Sequence, residues 1–329
     1  MQAQLIALDW GTTSLRAYKL AAGGVVLEQR ALSSGIMQLP KTPRVIHGGE
    51  CADGFELAFE EACGDWLEAQ PDLPVIACGM VGSAQGWREA AYCETPANVA
   101  NLGNSLQTLV SLRGTRVHIV PGVIQRSRLP NVMRGEETQV LGVLQNLPAE
   151  AGGDLLIGLP GSHSKWVEVV EGRITHFDTF MTGEVFAVLS EHSILGRTQQ
   201  QGAAFDGLAF DRGVQVALSA DGELGVLSTL FSARTLGLTG ELAPTAQADY
   251  LSGLMIGHEL VALAAAQRRR RNSAHLPSII LIGNAQLCAR YGRALDACGF
   301  ARVTLAEQAT ERGLWQLALA AGLLDSLSR

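Results

Sequence analysis

The sequence predicts an α/β protein of two domains built on one plan, and two stretches carry that prediction. The first is Leu5-Ile6-Ala7-Leu8-Asp9-Trp10-Gly11-Thr12-Thr13-Ser14-Leu15-Arg16. Four apolar residues form a short buried strand, Asp9 ends it, Gly11 lets the chain turn sharply, and three hydroxyl residues follow. A second strand runs through Leu15, Ala17 and Leu20 to the turn at Gly23-Gly24. Such a hairpin gathers backbone N–H groups, hydroxyls and one carboxylate at a point, which suits a phosphate group and its metal ion. The second stretch is Leu155-Leu156-Ile157-Gly158-Leu159-Pro160-Gly161-Ser162-His163-Ser164-Lys165-Trp166-Val167, which repeats the plan. Gly11 falls on Gly161, Thr12 on Ser162 and Ser14 on Ser164. Each copy continues to another glycine turn and a third strand, at Val25-Val26-Leu27 and Ile174-Thr175-His176-Phe177.

Internal duplication constrains architecture more than any single motif does. Two like domains, 1–150 and 151–329, would each offer a phosphate-binding hairpin and grip one nucleotide from both sides of a cleft. Asp9 has no counterpart, because Gly158 and Leu159 flank its place. The first copy is therefore expected to carry the metal and the second only a phosphate.

The remaining elements follow from spacing. Phe55, Ala58, Phe59, Ala62, Cys63, Trp66 and Leu67 recur at helical intervals up to Pro71. Pro74 to Gly79 reads as a buried strand ending in glycine. Three strands, a helix and a strand is the ribonuclease-H-like order, and strand ends leading into loops are where such sheets place ligands. The loop Gly79 to Tyr92 holds Ser83, Gln85, Trp87, Arg88 and Glu89, the chemistry of a small polar-ligand pocket. A helix is expected from Asn98 to Leu112 and a strand over Val117 to Val120. The helix after Gly135 runs to Leu147, with Glu136 and Glu137 in its first turn. Carboxylates are favoured there for structural reasons, and the same helix terminus would keep a catalytic base ionised.

In the second half, Phe177 to Phe186 reads as a strand-to-helix join capped by Thr182, and 199–271 as mainly helical. A buried strand from Leu276 reaches Gly283-Asn284, where an adenosine could lie against backbone before a helix starting near Ala285. The last helix spans about Ala309 to Ser326.

Composition bounds the function. The chain of 329 residues allows two domains with a core each, and 47% hydrophobic residues, 17% charged residues and 37 glycines fit tight strand–turn–helix joins. A net charge of −7 argues against a nucleic-acid partner. Arg268-Arg269-Arg270-Arg271 closes a helical stretch, where cations complement the dipole, and reads as a solvated helix end. The six cysteines show no Cys-x-x-Cys pair and no metal spacing with histidine, as expected of reduced thiols in the cytoplasm. No leader-like segment opens the chain. The apolar run Leu251 to Ala266 contains His258 and Glu259, so it reads as a buried helix with no membrane role. No G-x-G-x-x-G follows the first strand, which removes a dinucleotide-binding dehydrogenase.

These residues together resemble the superfamily of sugar kinases, actin and chaperone ATPases. Within it the chain is similar to the 2-dehydro-3-deoxygalactonokinase family. The matching stretches are Leu8 to Arg16, Gly79-Met80-Val81-Gly82-Ser83 with Gly86-Trp87, Met133-Arg134-Gly135-Glu136-Glu137-Thr138-Gln139, Leu159 to Trp166, and Met181-Thr182-Gly183-Glu184, with weaker likeness at Leu251 to Leu254 and Gly283. Ser162 stands where threonine is expected, and Ala84 where a larger polar residue is usual.

The resemblance implies two ribonuclease-H-like (actin-like ATPase) domains with an interdomain cleft. It also implies phosphoryl transfer from MgATP to the terminal (6-)hydroxyl of 2-dehydro-3-deoxy-D-galactonate, in galactonate breakdown. On that reading Asp9 holds Mg²⁺; Gly11, Thr12, Thr13, Gly161 and Ser162 cradle phosphates, and Lys165 neutralises charge or lies on the surface. Gly283 and Asn284 face the adenosine, and Glu137, with Glu136 next, is the base. Arg16, Arg88 and Arg134 are the candidate partners of the acid's carboxylate, Ser83 belongs to the substrate pocket, and Trp87 covers the sugar. The partners are a small sugar acid and ATP, with homo-oligomerisation left open. A kinase of another sugar acid on the same fold, such as 2-dehydro-3-deoxygluconate, and an actin-like ATP-binding module are the alternatives.

Overall fold

Residues 1–144, 155–200, 202, 204–300 and 302–324 are described by the computed structural model. The chain divides into two units, Met1–Gly152 with Val169–Phe177 and Glu307–Arg329, and Gly153–Glu168 with Asp178–Ala306. The expected boundary at 150/151 lies outside the described residues, as does the expected end of the helix at Leu147. The last helix and the Val169–Phe177 segment group with the first unit, which a linear division of the chain does not anticipate.

The first unit opens with an antiparallel meander, β1 (Ala3–Trp10), β2 (Leu15–Ala21) and β3 (Val25–Leu32). A small hairpin, β4 (Arg44–Ile46) and β5 (Gly49–Cys51), lies in the stretch that reads as loop. Then α1 (Gly54–Ala69) begins where the Asp53 carboxylate accepts the Phe55 and Glu56 N–H groups, two of the donors a helix start leaves open. Its apolar face (Ala58, Phe59, Ala62, Cys63, Trp66) packs with Ile6, Leu8 and Ala77 of the sheet. All five residues of β6 (Val75–Gly79) are buried, as befits a strand covered on both faces. It runs parallel to β1 in a register that sets Asp9 beside Cys78 and Trp10 beside Gly79.

Next come β7 (Tyr92–Glu94), α2 (Val99–Gly103), β8 (Gln107–Val110), β9 (Arg116–Ile119), β10 (Gly122–Gln125), β11 (Asn131–Met133) and α3 (Glu136–Leu144). The main sheet has the order β3-β2-β1-β6-β9-β8. The helix expected from Asn98 to Leu112 is thus a single capped turn followed by an edge strand. Asn98 and Asn101 cap each other, but β8 alternates half-buried and exposed residues and pairs with β9, so its apolar residues serve a sheet.

The second unit repeats the plan with β12 (Leu155–Leu159), β13 (Ser164–Val170) and β14 (Arg173–Phe180). A helical section follows: α4 (Thr182–His192), α5 (Gly207–Leu218), α6 (Val226–Thr229), α7 (Ser232–Leu238) and α8 (Gln247–Arg271). After it come β15 (Ser278–Leu281), α9 (Ala285–Ala297) and β16 (Val303–Leu305). The sheet order β14-β13-β12-β15-β16 matches β3-β2-β1-β6-β9 strand for strand, so the duplication read from the hairpins extends through both sheets. The arginine run is less solvated than expected, because Arg270 bonds Glu168 at 2.7 Å and Asp178 at 2.6 Å. None of the described helices is long and apolar enough to cross a membrane.

The chain then returns to the first unit as α10 (Ala309–Ala320), which packs on α3, α2 and β1. Glycines make this approach close. A Cβ on Gly313 would lie 1.9 Å from the Thr138 carbonyl oxygen, and one on Gly142 1.9 Å from that of Ala309. Gly313→Ala is therefore expected to overpack the pair and cost about 1–3 kcal/mol. Gly292→Ala in α9, where an added Cβ meets nothing within 4 Å, is expected to stabilise by up to about 1 kcal/mol. Urea unfolding of both variants checks this, and equal midpoints would refute the role given to Gly313.

Candidate active site

In the first unit the site is built where β1 and β6 end side by side. Gly79 (φ +90°) turns the chain out of β6, and a Cβ there would strike the Trp10 carbonyl oxygen at 2.7 Å. Gly135 (φ +108°) approaches the same point, its Cβ position 3.3 Å from the Gly79 Cα. Only glycine fits both conditions at these residues. The approach brings the start of α3, with Glu136 and Glu137, to the strand ends that carry Asp9. Burial first, and then the negative charges of Asp9 and Glu137, push the Cys78 thiol up, which sets the two carboxylates about one locus.

Glu137 has no exposed surface. Its carboxylate accepts the Gly135 N–H at 2.7 Å and the Thr138 hydroxyl at 3.1 Å. Burial, and secondly the Glu136 charge, push its pKa up to about 7. Glu136 is partly exposed and accepts the Arg134 N–H at 3.0 Å. Asp9, with 18% of its side chain exposed, meets Arg16 Nη1 at 3.3 Å. Burial raises its pKa, and the Arg16 charge acts in the opposite direction. Glu311, in the first turn of α10, is a further carboxylate within electrostatic reach of Asp9 and Arg16. Only knowledge that α10 returns to this unit could have nominated it from sequence.

The Gly11 turn is pinned from two sides. Gly11 N–H donates to the Ser14 carbonyl oxygen, while Ile36 and Met37 N–H groups donate to those of Gly11 and Thr12. Thr12 and Thr13 are exposed, as hydroxyls awaiting a ligand must be. Trp87 is set among Trp10, Phe55 and Phe59 with ring centroids 5.5–6.1 Å away, so its faces belong to the apolar core. Arg88 is exposed, Ser83 half-buried, and Arg134 lies with its guanidinium 4.4 Å above the Tyr92 ring.

In the second unit the Gly161-Ser162 turn lies against the start of α4. Glu184 N–H donates to the Ser162 carbonyl oxygen at 3.0 Å, a Cβ on Gly183 would be 2.3 Å from that of Gly161, and His163 pairs with Glu184. Thr182 does not cap α4: it is the first helical residue, and the cap position falls to Met181, which makes no side-chain cap bond. Lys165 is buried, with Nζ donating to the Thr179 hydroxyl at 2.8 Å. It is therefore not the surface residue that a strand position also allowed. Gly283 comes next to the same turn, its Cβ position 3.4 Å from the Pro160 carbonyl oxygen. The Asn284 side-chain oxygen is committed to capping α9 through the Gln286 and Leu287 N–H groups.

Beside the turn opens a cavity of about 260 Å³, with Gly161, Ser162 and Thr182 at one side and Leu287, Arg290 and Tyr291 at another. Behind it, buried Glu259 accepts Trp166 Nε1–H at 2.7 Å and the Tyr291 hydroxyl at 2.8 Å, and Tyr291 also meets Ser164 at 2.9 Å. This network locks the hairpin to α8 and α9. Arg290 and Tyr291 had no place in the sequence reading, and Thr182 and Glu259 entered it only as a helix cap and as a polar residue of a buried helix, because the three helices that bring the four together are far apart in the chain.

The chain matches the 2-keto-3-deoxy-galactonokinase family over residues 9–317. It belongs to that family. A relative from Rhizobium meliloti (strain 1021), assigned as 2-dehydro-3-deoxygalactonokinase DgoK1, is 36% identical over 94% of each chain. The 2-dehydro-3-deoxygalactonokinase of Escherichia coli (strain K12) is 34% identical over 91% of each. A crystal structure of a Sinorhizobium meliloti protein assigned as 2-dehydro-3-deoxygalactonokinase superposes with a TM-score of 0.82 at 33% identity, covering 96% of this chain and 98% of that one. The family match takes in every candidate residue from Asp9 to Glu311.

Glu137 also sets a stability signature for this family member. Its folded pKa lies above the ordinary glutamate value of 4.5, so the folded protein holds the proton more tightly. The stabilisation is full below about pH 4.5 and is lost as pH rises through about 7. Glu137→Gln removes that loss. Unfolding midpoints followed across this range should show the variant gaining on the wild type as pH rises, and parallel curves would contradict the buried, proton-holding carboxylate.

Proposed function

We propose that this chain transfers the γ-phosphoryl group of ATP to the terminal (6-)hydroxyl of 2-dehydro-3-deoxy-D-galactonate. The observation that carries the reading is Glu137, a buried carboxylate with its pKa near neutrality, held at the strand ends of a chain whose relatives bear that kinase name. A general base works best when its pKa lies near the operating pH. Glu137 takes the hydroxyl proton as the sugar oxygen forms its bond to the γ-phosphorus. The bond from that phosphorus to the bridging oxygen breaks, and ADP leaves with the electron pair. Little covalent work falls to the protein in such a transfer, so positioning and charge neutralisation dominate.

The donor set fits a magnesium ion. Mg²⁺ keeps most of its waters, takes one or two carboxylates and completes its shell with phosphate oxygens. Asp9 supplies one carboxylate beside the open Gly11 turn, and among the described residues no group of three metal-binding side chains forms a closed cage. When bound, the ion neutralises phosphate charge. Thr12 and Thr13, and in the second unit Gly161, Ser162 and Gly283, are the backbone and hydroxyl groups for phosphates, and Lys165 places an ammonium in that second hairpin. The cavity bordered by Leu287, Arg290 and Tyr291 is the place for the nucleoside. A chain that uses ATP on a small sugar acid belongs in the cytoplasm.

A coupled ADP-release assay with MgATP tests the reading. Release is expected with 2-dehydro-3-deoxy-D-galactonate and not with its gluconate epimer or with hexoses, and release independent of any acceptor would overturn it. Glu137→Gln is expected to lower kcat by about 10²–10⁴. The wild-type kcat/KM should fall as pH drops below about 7, where Glu137 is protonated. Chelation with EDTA should stop turnover and added Mg²⁺ restore it.

A further inference from the structure

Arg134 is a charged group whose hydrogen-bonding capacity is almost wholly unspent. A guanidinium carries five N–H donors. Here Nη2 donates to the Ala90 carbonyl oxygen at 2.8 Å, while Nε and Nη1 are buried and have no partner. No carboxylate pairs with it among the described residues. The side chain is held in place by other means: Tyr92 stacks beneath it at 4.4 Å, and Gly82 packs so closely that a Cβ there would be 2.9 Å from Nη1. The Ser83 hydroxyl, one residue on, is likewise buried without a partner. Buried donors without acceptors are rare and costly, and a buried charge without a counter-charge more so. Three orphaned donor atoms at one place, in a loop folded tightly by Ser83 N–H to Met80 O, Gly86 N–H to Ser83 O and Ala90 N–H to Gly82 O, mark a site kept for an anion.

The other arginines that sequence nominated are differently placed. Arg16 is paired with Asp9, and Arg88 is exposed at the loop surface. Arg134 precedes Glu137 by three residues, and Gly135 between them donates to Glu137. A ligand reaching from Arg134 to the base is therefore short, with a carboxylate at one end and a hydroxyl at the other.

We propose that Arg134, assisted by the Ser83 hydroxyl, binds the C1 carboxylate of the sugar-acid substrate and so makes the enzyme select acids over neutral sugars. This rests on the kinase reading above. One edge of the guanidinium pairs an unspent N–H with the remaining hydrogen on Nη2, which suits a two-oxygen acceptor. The 82–90 loop covers these donors, so the loop parts to admit the acid, and a carboxylate held beneath it is shielded from water, where the pairing is strongest.

Steady-state kinetics and binding measurements separate the two proposals. With wild-type enzyme, the C1 carboxamide of 2-dehydro-3-deoxy-D-galactonate is expected to show a KM about 10²-fold above that of the acid, with the KM for ATP unchanged. Arg134→Met, checked for folding by circular dichroism, should raise the KM for the acid about 10²-fold and leave acid and amide nearly equivalent, and Ser83→Ala should raise it several-fold. Calorimetric titration of the acid into Arg134→Met should show the same loss without turnover. Wild-type enzyme that accepts the amide as readily as the acid overturns the subsite, without depending on any variant. So does folded Arg134→Met with an unchanged KM. Absence of ADP release from wild-type enzyme with the acid would instead overturn the kinase reading itself.

Discussion

The close approach of two backbones, Gly135 to Gly79, is the constraint on which the candidate site of the first unit depends. β6 must end beside β1 for Asp9 to stand at a strand terminus, and α3 must start within van der Waals reach of that end for Glu137 to join it. A side chain at either glycine would force the helix away and with it Glu137. The same approach encloses Glu137 completely, and enclosure is what lifts its pKa toward neutrality. Position and proton affinity thus have one cause.

The second unit solves a different problem with the same sheet. It lacks a carboxylate in the place of Asp9, and its hairpin is instead backed by the buried network of Glu259, Trp166, Tyr291 and Ser164. Every one of these links is a hydrogen bond from an indole or hydroxyl to a carboxylate or hydroxyl, and together they fix the hairpin behind the Gly161 turn. Duplication supplied one sheet plan twice, and the two copies diverge at the position of Asp9.

Much of this was legible in the chain itself. The paired hairpins declared themselves through apolar runs, glycine turns and hydroxyls in matching positions, because backbone geometry demands those residue types locally. The α1 helix was equally plain from its spacing and from Pro71. The helix expected over Asn98 to Leu112 failed because apolar spacing in a short edge strand imitates a helical face, and Gly103, which ends the real helix, answers to Ala320 far along the chain. Site residues divide the same way. Asp9, Glu137 and Gly161 became candidates because motif and position agree, whereas the burial of Lys165, the orphaned nitrogens of Arg134 and the presence of Glu311 near Asp9 depend on contacts between distant segments. Trp87 illustrates the limit: its chemistry suited a sugar, but its faces went to Trp10, Phe55 and Phe59.

The return of α10 to the first unit carries a consequence for biosynthesis. A chain leaves the ribosome N-terminus first, so β1 to α3 emerge long before the helix that covers them. Until α10 is made, the surface around Gly142 and Thr138 has no partner, and the segment bearing Glu137 lacks its packing support. The second unit is contiguous except for its borrowed hairpin tip and has all its residues earlier. The nascent polypeptide therefore has every segment of its second unit before α10 completes the packing of its first.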